Sequence, residues 1–144
     1  MKLAWVPARM RTGVDSVDRQ HRRMIGKVNR LLEAIESRQN AQSVARILNS
    51  LSEEAIAHFR HEEAVMGAAK CPVRGVNRAA HRCFLREFAH IVRSFERDGP
   101  GPSFAAEVER LCCDWLADHI CQCDAQLAGC VTRLPKERRR ASST

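Results

Sequence analysis

Apolar residues recur at intervals of three and four along most of this chain, and the recurrence predicts four helices. The first is expected from Asp15 or Ser16 to Ser37, with Asp15 and Ser16 as caps. Its stripe is Val17, His21, Met24, Val28, Leu31, Leu32 and Ile35. The second runs from Ala41 to Ala69 on Val44, Ile47, Leu48, Leu51, Ala55, His58, Phe59, Glu62, Val65 and Met66, and Gly67 and Pro72 mark the break after it. The third runs from Gly75 to Arg97 on Asn77, Ala80, His81, Phe84, Phe88, Ile91, Val92 and Phe95, and the run Asp98 to Pro102 ends it. The fourth runs from Ser103 to Thr132 on Phe104, Val108, Leu111, Trp115, Leu116, His119, Ile120, Cys123, Leu127 and Val131. Short connections make neighbouring helices antiparallel. The expected fold is therefore all-α, an up-down-up-down four-helix bundle over residues 1–132. Its first fourteen residues are expected as an extended arm anchored by Trp5 and Val6, and residues 133–144 as a basic, disordered tail.

Each stripe contains polar residues where apolar ones belong. His21, His58, His81 and His119 are joined by Glu62, four residues after His58, and Asp124, five after His119. Asn77, four residues before His81, completes the pattern. At ~1.5 Å of rise per residue, the four histidines fall in one layer of an antiparallel bundle. A lone histidine on such a stripe is usually a hydrogen-bonded core residue. Four imidazoles in one layer with two carboxylates reverse that reading, because buried charges need partners or a metal. Imidazole and carboxylate donors suit iron, zinc or copper. Two carboxylates among six donors fit two ions better than one.

Composition narrows the alternatives. The chain has 144 residues, and 44% hydrophobic with 28% charged residues describes a globular domain. No apolar run reaches the ~20 residues of a membrane span. The opening segment, interrupted by Arg9 and Arg11, does not resemble a secretory signal, so a cytoplasmic location is expected. Most of the seven cysteines are then expected as thiols, with Cys121 facing outward. The net charge of +7 comes partly from the tail and otherwise from scattered helix-surface arginines, so no nucleic-acid partner is expected. The cysteine pairs of the fourth helix are weak zinc signals, and packed thiols explain them as well.

Four segments together resemble the hemerythrin family, in its single-domain bacterial form. They are T-G-V-D-S-V-D-R-Q-H (Thr12 to His21), H-F-R-H-E-E-A-V-M (His58 to Met66), C-P-x4-N-x3-H-R-C-F (Cys71 to Phe84) and W-L-A-D-H-I-C-Q-C-D (Trp115 to Asp124). The resemblance implies two non-haem iron ions with an oxo or hydroxo bridge, and reversible binding of O2. By it, His21 and His58 hold the iron that takes O2, His81 and His119 hold the other, and Glu62 and Asp124 bridge them. It also implies that Met24, Phe59, Trp115, Leu116 and Ile120 form an apolar pocket over the O2 site. Ordinary core packing accounts for the same five residues.

The departure is Asn77, which stands where the family carries a further histidine ligand. Three outcomes are open: the amide oxygen binds iron, a water fills the position, or that iron is lost. His61 is the nearest candidate replacement, but it lies ~60° off its stripe and on the wrong helix. His90 is expected on the surface. The leading functional expectation is a non-enzymatic O2 carrier, store or sensor. A di-iron redox protein acting on peroxide or nitric oxide, and a bundle whose altered site no longer takes two irons, stand beside it.

Overall fold

The computed structural model describes residues 2–131, apart from the side chains of residues 123–125. The element order is α1 (Pro7–Met10), α2 (Asp15–Glu36), α3 (Ala41–Ala68), α4 (Arg74–Asp98), α5 (Pro102–Val108), a π-helix (Glu109–Trp115) and α6 (Leu116–Val131). Among the described residues there is no strand, and the molecule is an all-α four-helix bundle, with α5, the π-helix and α6 as its fourth member. The expected basic tail and Thr132 lie outside the described residues.

The helix ends show why the chain turns where it does. The α2 cap is Val14, not Asp15 or Ser16. Asp18 reaches back instead, and its Oδ1 accepts from the Thr12 backbone N–H and hydroxyl, both at 2.8 Å. This carboxylate holds Thr12 just ahead of the helix, and Thr12 Oγ1 in turn accepts from the Val14 N–H of the cap at 3.1 Å. At α3 the cap is Asn40, whose side chain accepts from the Ser43 N–H. Arg38 (φ 53°) and Lys70 (φ 53°) adopt the left-handed conformation after α2 and α3. Around them, Gln39 N–H bonds to Ala34 O and Cys71 N–H to Met66 O. These are Schellman closures, built without the glycine usual at that position. Gly99 (φ 73°) supplies the corresponding freedom after α4.

The fourth helix departs from its expected continuous α form. Its π segment widens the turn, so Leu111, Cys112 and Cys113 are buried consecutively while Trp115 is only half-buried. The arm also differs. Residues 2–6 carry no regular secondary structure, but Pro7–Met10 coil into a short helix, and Val6, expected as an anchor, is 36% exposed. Trp5 does pack against the core, and Leu3 is clamped by Asn29, which accepts from its N–H and donates to its carbonyl.

Two apolar clusters fill the bundle. The larger includes Met24, Leu48, Leu51, Phe59, Phe84, Leu116 and Ile120. The smaller includes Val14, Val17, Val65, Met66 and Leu127, with a Cys71–Cys130 disulfide. That bond departs from the expected thiols, which hold at Cys83, Cys112, Cys113 and Cys121. Cys121 is partly buried against the larger cluster and does not face outward. Between the clusters, on α2, α3, α4 and α6, lies the layer of polar residues.

Candidate metal centre

The centre is organised around Glu62, which is fully buried on α3. Its Oε2 lies 3.3 Å from His21 Nε2 and 3.2 Å from His58 Nε2. Its Oε1 lies 3.2 Å from His81 Nε2. His58 and Glu62 are one turn apart, so one helix presents both to the same space. Two groups of donors result. One ligand atom from each of His21, His58 and Glu62 lies within 4.8 Å of the others, and the same is true of Glu62, His81 and His119. The sequence-derived set thus converges, except Asp124, whose side chain lies outside the described residues.

The imidazoles are held by bonds on their far nitrogens. His58 Nδ1 lies 2.9 Å from Gln20 Oε1, and His81 Nδ1 lies 3.0 Å from Glu63 Oε2. Amide and carboxylate oxygens only accept here, so each Nδ1 donates, and Nε2 is left as the nitrogen that can turn a lone pair to a metal. Gln20 and Glu63 escaped the sequence reading because they sit beside the stripes. Their signal is adjacency, since each neighbours a candidate ligand in sequence. Rings pack around the ligands as well: Phe59 stacks on His81 at 3.9 Å, and Trp115 on His119 at 4.8 Å.

Charge and proton inventory tests whether a metal fits. Burial, and then neighbouring His21, push His58 down to about 4; burial and then His81 do the same for His119, also to about 4. Both are neutral imidazoles at ordinary pH. Burial by itself raises the Glu62 carboxyl, but the facing His21, His58 and His81 outweigh it and hold the group well below the usual carboxylate range. One carboxylate thus lies within 3.3 Å of three imidazole nitrogens, and a cation can take the place of the protons that these groups would otherwise share. His119 Nε2 is buried with no hydrogen bond among the described residues. Nitrogen and oxygen donors of this kind suit iron, zinc or copper. The donor set fits a metal.

Other candidates fall outside the centre. His61 bonds Ser16 at 2.7 Å and does not replace a ligand. His90 is exposed, as expected. Burial, with Cys113 next in effect, pushes the Cys112 thiol up to about 12, so it stays protonated and packs. Of the five expected pocket residues, Met24, Phe59, Leu116 and Ile120 are buried in the larger cluster, and Trp115 packs against it. Asn77 is buried beside the centre and donates through Nδ2 to Glu62 Oε1 at 2.7 Å.

Comparison with known proteins agrees with this donor chemistry. The family described as Hemerythrin HHE cation binding domain matches residues 12–131. A Bacteriohemerythrin of Stenotrophomonas maltophilia is 30% identical over 108 residues, covering 75% of this chain and 68% of the relative. One from Pseudomonas aeruginosa is 27% identical over 116 residues, covering 81% and 73%. One from Methylococcus capsulatus is 23% identical over 130 residues, covering 90% and 97%. No solved structure matches the chain.

Proposed function

Because this chain belongs to the hemerythrin family, we propose that it is a non-haem di-iron protein that binds O2 for carriage, storage or sensing. The observation that carries the reading is the division of Glu62, one oxygen toward His21 and His58 and the other toward His81. In this reading His21 and His58 hold one iron, His81 and His119 the other, and Glu62 and Asp124 bridge an oxo- or hydroxo-bridged pair. Iron supplies the redox-active electron density that O2 binding requires.

The protein's own part is orientation and exclusion. Gln20 and Glu63 fix the imidazole tautomers through Nδ1, and such outer partners tune ligand basicity. Met24, Phe59, Trp115, Leu116 and Ile120 exclude water and protons from the O2-binding side. Among the described residues, no helix is long and apolar enough to cross a membrane. The proposed location is the cytoplasm, although the Cys71–Cys130 bond is unusual for a reducing compartment.

One observation favours a second reading, a redox protein acting on peroxide or nitric oxide. Each half of the centre has two imidazoles and a carboxylate, a set that leaves metal positions open. Cycling the anaerobically reconstituted ferrous protein between air and argon distinguishes the two. Spectra that return to the ferrous form over several cycles support O2 binding. Irreversible oxidation in the first cycle, with turnover of added peroxide, overturns it in favour of the redox reading.

A further inference from the structure

The two halves of the centre hold equal numbers of described ligands, two imidazoles and one Glu62 oxygen each. Asn77 stands beside one half only and does not add to its ligands. It sits one turn before His81 on α4, is 5% exposed, and reaches the same carboxylate. Its Nδ2 lies 2.7 Å from Glu62 Oε1 and 3.3 Å from Met66 Sδ. A carboxylate oxygen can only accept, so the amide must turn its NH2 to Glu62. With Met66 as the second acceptor, both amide hydrogens are committed. The atom turned to Glu62 Oε1 is thus the amide nitrogen, which cannot ligate a metal, and not Oδ1, which could, so Asn77 serves the carboxylate.

Two further contacts fit this arrangement. The His81 imidazole is backed by the Glu63 carboxylate, whereas His58 is backed by the neutral Gln20 amide. A carboxylate behind an imidazole strengthens it as a donor. The half beside Asn77 is therefore the more electron-rich, with no more described ligands than the other. Two imidazoles and a carboxylate leave positions open to exogenous ligands on such a metal.

We propose that Asn77 is a hydrogen-bond donor to Glu62 that leaves the metal at His81 and His119 open to a small exogenous anion. This centre then takes two such ligands, one on each metal. The inference rests on the di-iron reading above.

The test is an azide titration of the full chain, reconstituted with iron and oxidised. Charge-transfer spectra and calorimetry read the stoichiometry, and elemental analysis reads the iron. The expected result is two azides per two irons in the unmodified chain and in Asn77→Ala, and one in Asn77→His, where an imidazole occupies the position. Two irons with a single azide in the unmodified chain overturns this proposal alone. Fewer than two irons per chain overturns the di-iron reading and the proposal with it. The unmodified chain decides the question even where a variant does not fold.

Discussion

The two imidazole pairs flanking Glu62 share the same donor chemistry and differ in what stands behind them. His58 leans on an uncharged amide, Gln20. His81 leans on Glu63, whose other oxygen lies 3.5 Å from Arg78 Nε, so a surface cation reaches the centre through one carboxylate. Asn77 adds a hydrogen bond to the oxygen of Glu62 on that same side. The comparison teaches that a centre with matched ligands can still be electronically unequal, because the outer hydrogen bonds set donor strength.

The largest expected effect comes from the residue both halves share. Glu62→Gln removes the buried anion and should abolish iron retention at both positions, read as iron per chain after gel filtration. Retention of one full iron would mean that the halves do not depend on Glu62. Next comes the outer pair. Glu63→Gln should weaken one iron by about 10-fold or more, and Gln20→Glu should tighten the other by a similar factor. Chelator competition reads both, and equal responses of the two irons would erase the asymmetry.

In the metal-free protein the two halves should respond to acid together. His58 and His119 each lie near 4 when folded against 6.5 when free. The unfolded chain then binds more protons between those values, so stability is complete above pH ~6.5 and is lost as pH falls toward ~4. Denaturant titrations across that window should show the decline. His58→Gln, which removes the group, should flatten part of it.

Smallest at the centre is the effect of the Cys71–Cys130 bond, which belongs to the other apolar cluster. Cys71→Ser with Cys130→Ser should cost ~2–4 kcal/mol of stability and leave the iron count unchanged. A loss of iron in that variant would tie the bond to the centre.

The bundle and its polar layer were legible because helical period and buried polarity are local signals. His21, His58, Glu62, His81 and Asn77 sit on stripes whose apolar members fix the inward face. What was not legible depends on geometry between segments. Val14 caps α2 because Asp18 bonds back to Thr12. The π-helix leaves only a faint trace, three adjacent buried residues Leu111, Cys112 and Cys113, which one α-helical face does not accommodate. Gln20 and Glu63 lie off the stripes and gain meaning only when the imidazoles converge. The Cys71 to Cys130 pairing spans 59 residues, and no spacing rule selects it from the other combinations.

The central claim, two irons sharing Glu62 in unequal halves, is tested most directly by low-temperature Mössbauer spectroscopy of the oxidised, isotopically enriched protein. The account predicts a spin-coupled pair without magnetic splitting, resolved into two quadrupole doublets of equal area. A magnetically split spectrum of isolated ferric ions would contradict it.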